Sequence, residues 1–79
     1  MAKHQGFLFV DNVKHPWTED TITGAQLRQL AGLPQDAEIF RKIPGQPDQP
    51  ISDTTTVQLD EHRPEHFSTQ SPGSQAGNR

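Results

Sequence analysis

The chain has 79 residues, no cysteine, 29% hydrophobic and 22% charged residues, and seven Lys+Arg against ten Asp+Glu for a formal net charge of −3. A domain of this size buries only about 60% of its unfolded-chain surface, which excludes a deep catalytic pocket; without thiols there is no disulfide framework, CxxC redox pair or thiolate zinc site. Positive charge is not clustered, which argues against nucleic acid, and the longest apolar run, Phe7-Leu8-Phe9-Val10, falls short of the ~20 residues of a membrane span and the ~7–15 of a signal-peptide core, so a soluble cytoplasmic protein is expected.

In chain order, Gly6 to Asp11 carries aromatic and branched side chains without a breaker and reads as a strand, closed by the turn-favouring pair Asp11-Asn12. The return arm of this hairpin, Val13 to Thr18, contains Pro16, which confines it to an edge. Because every residue from Phe7 to Val10 is apolar, the pattern leaves open whether Phe7 and Phe9 or Leu8 and Val10 face the core.

A helix start follows. Thr23-Gly24-Ala25-Gln26 is a capping box, in which the Thr hydroxyl accepts from the N–H three residues on and Gln26 reaches back. Ile22 stands where it can staple onto Leu27, while Leu27, Leu30 and Ala31 form one stripe. Gly32 supplies the left-handed stop before Pro34, which predicts a helix of about ten residues. A strand is expected over Ala37–Ile43, then an irregular loop through Pro44, Pro47 and Pro50 anchored by Ile51. Val57 and Leu59 alternate with polar neighbours in a short extended piece, and His66 to Gln70 forms a last strand around Phe67. From Ser68 onward the only hydrophobic residue is Ala76, and such a Ser/Gly/Gln-rich stretch cannot offset its ordering entropy. The expected organisation is a flexible N-terminus over 1–5, a domain over 6–70 and a flexible tail over 71–79. A helix crossing one face of a small mixed sheet that begins with a hairpin is the α+β arrangement called a β-grasp.

Thr21-Ile22-Thr23-Gly24-Ala25-Gln26-Leu27, Leu30-Ala31-Gly32-Leu33-Pro34, Ile39-Phe40-Arg41-Lys42-Ile43-Pro44-Gly45 and Pro47-Asp48-Gln49-Pro50-Ile51-Ser52-Asp53 together resemble the bacterial multiubiquitin family, continuously from about Gly6 to Phe67. These are ubiquitin-like domains found alone or in tandem and encoded beside E1-like, E2-like and peptidase proteins. The resemblance implies a β-grasp protein modifier that is a substrate of enzymes and not an enzyme. Its partners are then an E1-like adenylating enzyme, an E2-like protein, a C-terminal processing peptidase and target proteins, with no nucleic acid, membrane or cofactor of its own. Where ubiquitin-like modifiers commonly end in Gly-Gly, this sequence ends Ala76-Gly77-Asn78-Arg79. Either a peptidase trims it first, with Gly77, next to Asn78, the favoured new terminus and Gly73 the second, or a diverged E1-like enzyme activates another residue. Two other roles remain open: a noncovalent β-grasp interaction module, and a sulfur carrier, which normally has a free Gly-Gly end. The family association suggests a defence or stress setting.

Other residues have sharper and plainer readings. His62 and His66 have His-x3-His spacing, but Pro64 lies between them and no third ligand clusters nearby, so solvated loop histidines are expected. Ser52, Asp53 and the Thr54-Thr55-Thr56 run read as a loop held by side-chain-to-backbone turns, not as a nucleophile. Trp17 is expected to anchor the core or a sheet face; with Phe7 and Phe9 it is also a candidate for docking an E1-like enzyme or peptidase. Lys3, Lys14 and Lys42 are possible acceptors of further copies, although ordinary surface lysines are the simpler reading.

Overall fold

The computed structural model describes residues 6–60 and 63–71. The expected N-terminal segment 1–5 with Lys3, His62, and the tail candidates Gly73, Gly77 and Asn78 lie outside the described residues.

Strands β1 (Phe7–Val10) and β2 (Val13–Pro16) form the expected hairpin, with Phe7 opposite Pro16 and Val10 opposite Val13. Asp11 and Asn12 have φ of 52° and 68°, the paired positive values of a two-residue turn whose twist matches that of the flanking strands. Pro16 lies on the sheet's edge strand, as its missing N–H requires.

Next come β3 (Thr21–Thr23) and helix α1 (Gly24–Leu30). The capping box is present: Gln26 N–H donates to Thr23 Oγ1 at 3.1 Å and Thr23 N–H to Gln26 Oε1 at 2.9 Å. The helix is shorter than the predicted ten residues or so, with seven. Ala31 already leaves helical geometry as C-cap and Gly32 turns left-handed at φ 65°. Gly32 N–H then donates to Gln29 O and Leu33 N–H to Arg28 O, the double bond pattern of a Schellman stop.

Strand β4 (Glu38–Arg41) is trimmed relative to the expected 37–43 because its flanks turn: Ala37 N–H donates to Pro34 O and Gln46 N–H to Ile43 O. Strand β5 (Gln49–Ile51) begins inside the segment expected to be irregular up to Pro50. It is the opposite edge strand of the sheet, where a proline is tolerated, and Pro50 sits across from Phe40. Strands β6 (Thr56–Gln58) and β7 (His66–Gln70) match the last two expected extended pieces. Beyond expectation, β6 pairs antiparallel with β3, Ile22 opposite Val57.

The main sheet is five-stranded and mixed, in the order β2-β1-β7-β4-β5, with β1 and β7 parallel and the other neighbours antiparallel. Leu8, Val10, Ile39, Ile51 and Phe67 from this sheet, Ile22, Val57 and Leu59 from the small sheet and its flank, and Leu27 from α1 make one buried core, with Trp17, Leu30, Ala31 and Leu33 packed against it. This α+β architecture is consistent with the β-grasp fold. Among the described residues no helix is long and apolar enough to cross a membrane.

Candidate functional site

Burial of Leu8 and Val10 resolves the ambiguity of the first strand. Successive side chains of a strand alternate between faces, so Phe7 and Phe9 stand on the side of the sheet away from the core, each half-buried. Strand register then determines their neighbours: Phe9 is opposite Lys14 on β2 and His66 on β7, while Phe7 is opposite Pro16. Phe40 continues this face through its registers with Ser68 and Pro50.

The side chains on this face touch one another. The His66 imidazole lies parallel to the Phe9 ring, 4.7 Å between centroids and 5° between planes. Phe7 meets Phe9 edge-on at 5.7 Å and 89°, and Lys14 Nζ sits 4.4 Å above the Phe7 ring. Stacked, edge-to-face and cation–π contacts are each individually weak, but together they hold an aromatic surface in a defined shape without burying it. Beside His66 lies an open cleft of about 270 Å³, also lined by Lys42, Ile43, Pro44 and Asp48. Arrangements of this kind suit docking, where rigid, half-exposed aromatic area is presented at low entropic cost.

Trp17 belongs elsewhere. It packs against the core, its indole N–H donates to Thr21 O at 2.9 Å, and its backbone N–H to Gly6 O. Phe7 and Phe9 therefore share one face, while Trp17 lies on the core side, where it borders a separate surface cleft with Pro16, Thr18, Glu19, Thr21 and Gln26. Of the lysines, Lys14 is engaged with Phe7 and Lys42 is exposed. His66, the one described member of the histidine pair, is a ring partner of Phe9, and no group of three His, Asp or Glu side chains among the described residues is placed to hold a metal ion.

Two polar arrangements lie toward the other side of the sheet, where Arg41 is in register with Phe67 and Thr69 with Ile39. Arg41 forms a bidentate pair with Glu65, Nε to Oε1 and Nη2 to Oε2, both 3.1 Å, and this pins the approach to β7. Asp11, in the hairpin turn, accepts from the Thr69 N–H at 2.9 Å and also from the Thr69 hydroxyl. The Ser52–Thr55 loop has the turn chemistry its composition implies, with Ser52 N–H donating to Thr55 Oγ1 and the Ser52 hydroxyl bonded to those of Thr54 and Thr55.

Sequence reading alone did not bring His66 or Phe40 to this site, nor Asp11 to Thr69. Alternation about Phe67 and Ile39 would have placed the first two on the outer face. Asp11 and Thr69, by contrast, are 58 residues apart and carry no local signal.

A family model described as multiubiquitin matches residues 8–71. Neither the curated proteins nor the solved structures yield a match.

Proposed function

Because the chain belongs to the multiubiquitin family, we propose that it is a ubiquitin-like modifier of a bacterial conjugation system, acting in the cytoplasm as a substrate of enzymes. The observation that carries this reading is the reach of the family match over 8–71, which takes in the helix and, apart from Phe7 at the start of β1, every strand of the described residues, with Gly73 and Gly77 beyond it. In the proposed sequence a peptidase trims the chain, with the Gly77–Asn78 bond the favoured cut and Gly73 the second candidate. The new terminal carboxylate attacks the α-phosphorus of ATP in an E1-like enzyme, forming an acyl adenylate and releasing pyrophosphate. A nucleophile of the E1-like or E2-like protein then takes the acyl group with loss of AMP, and a target nucleophile finally displaces that carrier. Since this chain has no cysteine, any thioester on the route is built on a partner's sulfur.

Intact-mass spectrometry tests the reading, with the chain incubated with ATP and the E1-like, E2-like and peptidase proteins that the proposed system requires. Loss of a C-terminal fragment followed by an adduct on a second protein is expected. The Gly77→Phe variant should block conjugation if Gly77 is the activated residue. A second reading, a noncovalent interaction module, draws on the Phe7–Phe9–His66 face; an unchanged chain mass together with a stable complex would select it over the modifier.

A further inference from the structure

Strand β1 ends at Val10 while its parallel neighbour β7 runs on to Gln70. Along their shared stretch Phe9 aligns with His66 and Val10 with Phe67, and Asp11 N–H donates to Phe67 O at 2.8 Å. There β1 turns away through the left-handed residues Asp11 and Asn12. The next donor on that side of β7, the Thr69 N–H, has no β1 carbonyl left to meet. It donates instead to Asp11 Oδ1, and the Thr69 hydroxyl donates to Oδ2 of the same carboxylate. One side chain thus substitutes for the missing length of strand. On its other side Thr69 is in register with Ile39, and Gln70 with Glu38. Asp11 therefore holds the last stretch of β7 from the side that β1 no longer covers, immediately ahead of the C-terminal segment.

We propose that Asp11 is a positioning residue for that segment: by clamping Thr69 it sets where β7 ends and in which direction the chain continues, and so presents the C-terminal residues to the enzyme that activates them. This inference rests on the modifier reading above. The clamp is local, spans the first turn and the last strand, and involves no group of the core, so it can be removed without dismantling the fold.

The test uses the full chain in three forms: wild type, Asp11→Gly, which deletes the carboxylate while tolerating the positive φ, and Asp11→Asn, which keeps an acceptor for the Thr69 N–H and offers an amide N–H to its hydroxyl. Amide hydrogen exchange should quicken about tenfold at Thr69 in Asp11→Gly, with the Phe9 amide, bonded to Glu65 O, unchanged. In ATP–pyrophosphate exchange with the E1-like enzyme, after trimming of each form by the processing peptidase, KM for Asp11→Gly should rise about fivefold at constant kcat, and Asp11→Asn should restore most of it. Unchanged exchange at Thr69, or faster exchange with KM within about twofold of wild type, overturns the positioning role alone. A wild-type chain that supports no pyrophosphate exchange either before or after incubation with the peptidase overturns the modifier reading and the positioning role together.

Discussion

Arg28 and Asp53 are 25 residues apart in sequence, yet two guanidinium N–H groups of Arg28 converge on one oxygen of Asp53, Nη2 at 2.8 Å and Nε at 3.2 Å. The remaining reach of the same guanidinium goes to backbone: Nη1 donates to Pro34 O and Ala37 O, both at 2.8 Å. One side chain, 14% exposed against 45% for Asp53, thus ties α1 to the segment that follows it and to the loop that caps it. The planar fork spreads its donors over Nε, Nη1 and Nη2 and so reaches acceptors on two sides at once, whereas the three donors of an ammonium radiate from a single nitrogen.

Arg28→Ala should therefore lower stability by about 2–3 kcal/mol, since it leaves two carbonyls and a carboxylate without their donors. The Asp53 share is the smaller because that carboxylate is well solvated. Arg28→Lys is expected to recover less than half of the loss. Urea unfolding of the three proteins, compared by midpoint at constant slope, measures this; equal midpoints for Arg28→Ala and wild type would refute it.

Gly24 opens the helix against the Ser52–Thr55 loop. Gly24 N–H donates to Thr55 O and Ala25 N–H to Asp53 O, both at 3.1 Å, which with the capping box satisfies the first four N–H groups of the helix. A Cβ at Gly24 would strike the Ser52 carbonyl, 2.6 Å from its carbon. Ala normally favours a helix over Gly by about 1 kcal/mol, but Gly24→Ala should destabilise by about 2 kcal/mol because backbone has to move. Thermal melting shows which effect wins: a raised Tm would mean that the loop yields freely.

On the outer face, Phe9→Ser should change stability by no more than about 1 kcal/mol, because Phe9 is only half-buried and its ring contacts are surface contacts. If the chain is the modifier proposed above and this face docks an E1-like enzyme, binding to that enzyme should nevertheless weaken about tenfold or more. Isothermal titration with wild-type and Phe9→Ser chains separates the two effects. Equal affinities would remove the face from the docking interaction.

Trp17 behaves oppositely. Trp17→Phe keeps most of the packing but loses the bond to Thr21 O, a cost of about 1 kcal/mol. Trp17→Ala also opens space against the core and should cost about 3 kcal/mol. Neither should alter enzyme affinity once folded, and chemical denaturation followed by the same titration checks both halves of the statement.

Much of this architecture was legible locally. The Asp11-Asn12 turn, the Thr23/Gln26 box and the Gly32 stop each depend on residues within a few positions of one another, and each is realised in the fold. Features that depend on distant partners were not legible. Strand β3 is three residues long and merges into the cap, so only pairing with Thr56–Gln58 reveals it as a strand. β5 begins among prolines because it lies at an edge, and edge status belongs to the sheet rather than to the segment. The same holds for the candidate site. Phe7 and Phe9 stood out as aromatic, but their face was decided by the burial of Leu8 and Val10, and the contact of Phe9 with His66 by a parallel register across 57 residues of sequence.

The placement of β7 has a mechanical consequence. The last strand among the described residues is the middle strand of the five-stranded sheet, bonded to β1 on one side and β4 on the other. A pull on the C-terminal end runs along β7, so both ladders are loaded in shear and resist simultaneously instead of opening one bond at a time. A cargo attached through that end would be tethered by the part of the molecule hardest to tear out, and an unfolding motor gripping the chain there would meet its greatest resistance at the first step.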